Sequence, residues 1–316
     1  MRFVQVEVST KCQLSCMMCP KTVFRKDWVF VNMDLETFKK IPFNRFDFAH
    51  LQGWGEPLLN PDIGEMIEIA KKYCKVGLTT NGLLLDEFDE VKKLDYLAIS
   101  IASADDEKHK RIRKCSLEEL KEKIRVVSDK VSVTLAFMML RDTYEELPQI
   151  VEIAKNVGAK EVIANNLDYI PAKELESQAI FLQRVDEKPI ELAILRAREM
   201  GIKLTVKSIR LEEVLVCAEN PIENCLVTVD GRITPCVYLH LPTKSEKIVR
   251  YFNGKRVEIP KLYFGSVENF EKVWKGKSYV EFRRTFERRV MGAYEFPPNI
   301  PELPEACKTC YKAYGV

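Results

Sequence analysis

Residues 2–8 carry β-branched side chains in an alternating pattern, the period-2 signature of a strand. Asp34 then caps a helix over 35–41, which Pro42 closes. A second strand over 46–52 runs into Gly53-Trp54-Gly55-Glu56-Pro57, and Ile63, Met66, Ile67 and Ala70 fall at helical spacing over 62–73. Strands over 75–79, 94–102, 131–139 and 161–165 follow, the second and third of them strongly apolar. Between them lie a helix over 117–128 and another with its apolar face at Leu147, Ile150, Val151, Ala154 and Val157. Ser116 and Glu119 have capping-box spacing, and Gly158 stops the later helix. The charged stretch 105–114 reads as a lead-in to the first of these helices. Strand and helix alternate about six times, the order of a parallel sheet with crossover helices, whose ligands collect at the C-terminal strand ends.

After a polar connection over 171–187, a helix over 189–200 and a short strand over 202–206 close this first unit. From Cys217 the pattern changes. Residues 225–236 read as a hairpin turning at Asp230-Gly231, and helices are expected over 269–274 and 279–286. The expected division is therefore a first domain over 1–212 and a second over 213–316.

Composition narrows the function. The chain has 316 residues, with 49 Lys plus Arg against 47 Asp plus Glu and a formal charge of +2, which speaks against general nucleic-acid or membrane binding. The chain begins at its first strand without an export signal, and no apolar run approaches the ~20 residues of a membrane span. Ten cysteines in such a chain point to a reducing cytoplasm and to metal chemistry rather than to disulfides.

Those cysteines fall in two groups. Cys12, Cys16 and Cys19 stand on the loop leaving the first strand. Three soft thiolates on one loop can hold three irons of a cubane cluster and leave the fourth iron open to a small molecule. The second group is Cys225 and Cys236, flanking the hairpin turn, with Cys307 and Cys310 near the end of the chain. Two separated pairs make a closed four-thiolate site, for which spacing alone allows zinc or a 4Fe–4S cluster. Cys217 either replaces one ligand or is simply buried, while Cys74 and Cys115 read as ordinary small residues. His50, His109 and His240 read as structural, His240 lying closest to a cysteine of the second group. Gly55 lets backbone approach a ligand, and Glu56 offers an acceptor for an ammonium group. Asn81, in a strand-end turn, either reaches the ligand or merely shapes the turn. Asn165 and Asn166 are substrate-contact candidates at the sixth strand's end. Trp28 and Phe30 either face substrate or pack their loop down.

Cys-x-x-x-Cys-x-x-Cys after a first strand resembles the radical SAM superfamily, with Met18 where an aromatic residue is usual. Gly-x-Gly-Glu at residues 53–56 is similar to that family's Gly-Gly-Glu motif, with Trp54 in place of a glycine. The resemblance implies an α/β fold: a partial (β/α)6 TIM-like barrel with a smaller C-terminal α+β iron–sulfur domain. It implies a 4Fe–4S cluster on Cys12, Cys16 and Cys19 that chelates S-adenosylmethionine, with Glu56 on its amino group, Ser100 as a cofactor contact and Arg113 near its carboxylate. Homolytic cleavage would give a 5′-deoxyadenosyl radical that abstracts hydrogen from a substrate, with a reduced ferredoxin or flavodoxin as electron donor. Gly231, five positions before Cys236, and the late Cys307-x-x-Cys310 resemble the SPASM and twitch auxiliary-cluster domains. This implies a second, auxiliary 4Fe–4S cluster on Cys225, Cys236, Cys307 and Cys310. Residues 28–33 together with Gly-Trp-Gly-Glu-Pro-Leu look similar to maturases of tungsten-pterin oxidoreductases. The expected substrate is then a partner oxidoreductase's cofactor. The alternatives are a precursor peptide, a small-molecule dehydrogenase, or a non-enzymatic iron–sulfur scaffold or electron-transfer protein.

Overall fold

The computed structural model describes residues 2–316. Seven strands run parallel in chain order: β1 (Phe3–Val6), β2 (Phe48–Leu51), β3 (Lys75–Thr80), β4 (Tyr96–Ile101), β5 (Val133–Met139), β6 (Glu161–Asn166) and β7 (Lys203–Val206). Of the helices α1 (Pro20–Val23), α2 (Leu35–Lys39), α3 (Ile63–Lys71), α4 (Asp106–Arg113), α5 (Leu117–Ser128), α6 (Leu147–Asn156) and α7 (Lys188–Met200), all but α1 and α4 pack into one core on one face of the sheet. Val4 and Val6 of β1, Leu97, Ile99 and Ile101 of β4, and Val133, Leu135 and Phe137 of β5 point to these helices and form one core with Leu120, Ile124, Ile150 and Val151. Burying each such side chain contributes about 1.5–3 kcal/mol. The alternate residues, Gln5, His50, Thr79 and Ser100 among them, face the concave side and are largely polar. One face thus makes the core and the other is left for chemistry. This is the partial TIM-like barrel expected from the sequence.

The sheet does not stop at the first unit. β8 (Cys225–Val227) pairs in parallel with the free edge of β1, Val4 opposite Cys225. β9 (Arg232–Thr234) returns antiparallel to it. The turn between them places Gly231 at φ +76°, a conformation that costs glycine little. β10 (Lys247–Phe252) and β11 (Lys255–Pro260) form a separate hairpin, and β12 (Gly265–Ser266) joins β9, giving the ten-stranded order β12-β9-β8-β1-β2-β3-β4-β5-β6-β7. With α8 (Phe270–Trp274) and α9 (Lys277–Gly292), these form the smaller α+β region. No helix among the described residues is long and apolar enough to cross a membrane.

Two elements differ from the sequence expectation. The charged stretch read as a lead-in is the helix α4, capped by the Asp105 side chain accepting from Lys108 N. Its acids sit in the first turn and its bases in the last, matching the helix dipole. The β10–β11 hairpin had no expected counterpart. It turns at Asn253-Gly254, both at positive φ, the primed turn that fits strand twist.

Candidate active site and a second thiol cavity

Cys12, Cys16 and Cys19 line a cavity of about 250 Å³ at the C-terminal ends of the strands, and Gly55, Glu56, Asn81, Ser100 and Arg113 line the same cavity. Every residue expected from sequence at the first site is therefore in one place. The thiol loop is fastened by Lys21, which is buried and donates from Nζ to the Cys12 and Leu14 carbonyls at 3.0 and 2.5 Å. Sequence gave no sign of that lysine beyond its nearness to the thiols. Burial pushes the Cys12 thiol upward, and burial together with the Cys16 thiol pushes Cys19 up to about 12.

Glu56 is 2 % exposed. One carboxylate oxygen accepts from Leu58 N at 3.1 Å and Thr80 Oγ1 at 2.7 Å, the other from Asn81 N at 2.7 Å. The second oxygen thus keeps a free lone pair. Burial raises its pKa against these donors. Asn81 Nδ2 donates to Gln13 Oε1 at 3.2 Å, and its own Oδ1 accepts from Leu83 N, so it both shapes the turn and borders the cavity. Arg113 is not a solvated surface residue: it is 9 % exposed, and its Nε is buried without a partner. An orphaned guanidinium donor at a cavity fits an anionic group such as a carboxylate.

Three sequence readings are sharpened here. Gly55 does not serve ligand approach alone: a Cβ there would lie 2.3 Å from the Ser9 carbonyl oxygen and 2.7 Å from that of Lys11, so glycine is required by the backbone leading into the thiol loop. Asn165 and Asn166 do not reach the cavity; they donate to the Ile163 and Ser208 carbonyls. Trp28 is 3 % exposed and donates to the Thr10 carbonyl at 2.9 Å, packing its loop down, while Phe30 is exposed. The structure adds Met138, Leu167 and Tyr169 to the cavity wall. Met138 and Leu167 sit at or beyond the ends of β5 and β6, the one signal by which sequence could have marked them.

A second cavity is lined by Cys217, Cys236, Cys307 and Cys310 with Glu219, Tyr238 and Lys312. The expected set had Cys225 where Cys217 stands. Cys225 faces the helix side of β8 with Val227, inside the main core, and the charges that act on it are Arg45 and Arg283 rather than the other thiols. Cys236, by contrast, is raised well above its ordinary value by burial and by Glu219, Cys217, Cys310 and Cys307. A cysteine within the apolar run 225–229 is a core residue by the same reasoning that set aside Cys74 and Cys115, neither of which reaches either cavity.

Among the described residues no three His, Cys, Asp or Glu groups converge as the ligands of one metal ion would. Both thiol sets instead surround a cavity, and burial favours the protonated form of Cys12 and Cys19 in the first and of Cys217, Cys236, Cys307 and Cys310 in the second. Soft, buried thiols spaced around a void fit a multi-iron cluster, whose irons supply the positive charge that displaces those protons.

An open parallel barrel with three thiols at its first strand end and a four-thiol cavity beside it defines an iron–sulfur enzyme class. Residues 6–154 match the Radical SAM superfamily and residues 217–311 match SPASM, an iron-sulfur cluster-binding domain, so the chain carries a radical SAM-type region followed by a SPASM-type C-terminal region. It is similar to the tungsten-containing aldehyde ferredoxin oxidoreductase cofactor-modifying protein of Pyrococcus furiosus, 23% identical over 90% of this chain and 83% of that one. It is 26% identical to a probable GTP 3′,8-cyclase of Saccharolobus islandicus over 74% of this chain and 82% of the other. Streptococcus suis SuiB bound to S-adenosylmethionine has the same fold at 10% identity, with a TM-score of 0.65 over 99% of this chain and 71% of SuiB. So does native anSMEcpe with bound AdoMet and a Cp18Cys peptide, at 15% identity and a TM-score of 0.63, covering 100% of this chain and 88% of that one. The cofactors that follow from the family are a 4Fe–4S cluster, S-adenosylmethionine and auxiliary iron–sulfur binding in the SPASM region.

Proposed function

We propose that this chain is a radical S-adenosylmethionine maturase that abstracts hydrogen from a precursor of a tungstopterin-type cofactor of a partner oxidoreductase. The observation that carries the radical reading is the convergence of three thiols, a buried carboxylate with a free lone pair and an orphaned arginine donor on one cavity. The cofactor-maturation reading rests on the Pyrococcus furiosus relative.

In this reading Cys12, Cys16 and Cys19 hold the first cluster. Glu56 receives the ammonium group of S-adenosylmethionine, Arg113 its carboxylate, and Gly55, Asn81 and Ser100 border it. When bound, the reduced cluster supplies the electron that splits the sulfonium and yields a 5′-deoxyadenosyl radical. Trp54, Tyr169, Leu167 and Met138 keep water from the reacting carbon; Trp54 and Tyr169 brace one another edge to face at 5.1 Å. Cys217, Cys236, Cys307 and Cys310 hold the auxiliary cluster, with Cys225 left in the core. A ferredoxin or flavodoxin in the cytoplasm supplies the electron, and the domains divide at residues 212 and 213.

The test is electron paramagnetic resonance of anaerobically reconstituted, reduced protein. Adding S-adenosylmethionine is expected to change the signal of one cluster, and a spectrum that does not respond contradicts the reading.

A further inference from the structure

Arg250 stands in the middle of β10 and is 3 % exposed. Its Nη2 donates to the Ala306 carbonyl at 2.7 Å and to Thr309 Oγ1 at 2.9 Å, so it holds the Cys307–Cys310 turn at points before and after Cys307. The rest of the guanidinium is idle. Nε and Nη1 are buried with no partner, and no carboxylate pairs with Arg250 among the described residues. The strand is fastened to the wall of the first cavity on either side of this residue: Tyr169 Oη donates to the Val249 carbonyl at 2.7 Å, and Tyr251 N donates to the Ile170 carbonyl at 2.8 Å.

The other buried cations whose charge reaches the second thiol set have their own acids. Lys312 meets Asp168 at 2.5 Å, and Arg289 meets Glu213 at 2.6 Å. Glu219, in the wall of the thiol cavity, is acted on by Lys312 and Lys207. That leaves Arg250 as a permanent charge held away from water with nothing to balance it. Such a charge is costly, and so are unmatched buried donors; a fold keeps both where an anion completes them.

The thiols it braces are the groups that can become that anion. Burial raises the Cys307 and Cys310 thiols, and the Arg250 charge acts on both in the opposite sense. Four thiolates around a 4Fe–4S core leave net negative charge, and one added electron makes it more negative still. Positive charge and N–H donors beside such a cluster favour its reduced form and raise its potential.

We propose that Arg250 is a positioning residue of the auxiliary cluster: it holds the Cys307–Cys310 turn and supplies the buried positive charge that brings the one-electron-reduced state of the cluster within reach. The second cluster is then a redox centre, because a mere staple for the fold needs only its four thiolates. This rests on a cluster at Cys217, Cys236, Cys307 and Cys310 and not on cleavage of S-adenosylmethionine.

The test is a redox titration of the loaded, full-length protein with dithionite, followed by electron paramagnetic resonance. Arg250→Gln removes the charge and keeps an amide donor. One of the two cluster midpoints should fall by about 59 mV or more, a tenfold change in a one-electron equilibrium, while the other stays in place. Arg250→Lys restores the charge and should bring that midpoint back towards the wild-type value. Wild-type midpoints in Arg250→Gln at unchanged iron per chain overturn the proposal, since an arginine that only braces the turn leaves the potential alone. If Arg250→Gln loads only about four irons, Arg250→Lys decides: about eight irons supports the buried charge, and about four again overturns it. The two-cluster reading fails separately, on a wild-type iron count near four, and the radical reading on a spectrum that ignores S-adenosylmethionine.

Discussion

Glu7 and His240 are both buried and meet at 2.8 Å between a Glu7 carboxylate oxygen and His240 Nε2, although 233 residues separate them. The same carboxylate accepts from Trp54 N at 3.0 Å and from Val229 N at 3.4 Å, and the Trp54 indole donates to the His240 carbonyl at 2.9 Å. His240 Nδ1 contacts Tyr263 Oη at 2.7 Å. One carboxylate therefore ties the loop carrying Glu56 to the hairpin carrying Cys236. Removing the imidazole leaves buried acceptors unmatched, a loss of about 1–3 kcal/mol. His240→Leu should lower the unfolding free energy of the loaded protein in urea by that amount, and its midpoint accordingly, with His240→Gln recovering part of it through its amide donor. Equal midpoints for wild type and His240→Leu would show the contact to be idle.

The second thiol cavity makes an iron-counting prediction. Two cubanes give about eight irons per chain. Cys217→Ala should fall towards about four, and Cys225→Ala should keep about eight. The reverse order would restore Cys225 as the ligand and displace Cys217.

Arg113 supplies a third. Its unpartnered buried Nε is placed for an anion. Arg113→Met should weaken binding of S-adenosylhomocysteine, which is not cleaved, by about tenfold or more. A dissociation constant unchanged by the substitution would assign Arg113 to packing.

A fourth concerns acid. His109 Nδ1 lies 3.0 Å from the Cys115 carbonyl, which fixes Nδ1 as the donor, and Nε2 is buried without a partner. Burial pushes its pKa down to about 4 from 6.5. The unfolded chain then binds a proton that the native protein refuses between those two values, so stability is fully present above pH 6.5 and lost as pH falls towards 4. The expected loss from this group between pH 7.5 and 5.5 is on the order of 1 kcal/mol. Urea unfolding at the two pH values should show a smaller drop for His109→Gln than for wild type. Equal drops would mean that another group carries the acid lability.

The alternation of β1 to β7 with their helices was legible because apolar residues mark the helix-facing side of each strand. The first site was legible because its thiols and Glu56 follow directly on strand ends, where sequence position and spatial position coincide. Arg113 was harder: α4 looks like surface from its charges, and only the fold turns its last residue inward. Cys225 misled because a hairpin flanked by two cysteines resembles a chelate, whereas β8 sends Cys225 to the opposite side from the thiol cavity. The β10–β11 hairpin was written in Asn253-Gly254 between alternating residues and went unread. Arg250 and Thr309 lie 59 positions apart, and no local pattern joins them.

The central claim is that the cavity of Cys12, Cys16, Cys19, Glu56 and Arg113 generates a radical from S-adenosylmethionine. Anaerobically reconstituted protein, reduced and incubated with S-adenosylmethionine, should release 5′-deoxyadenosine, while a Cys16→Ala variant carried through the same steps should not. No 5′-deoxyadenosine above the Cys16→Ala control, from protein with its full iron content, would contradict it.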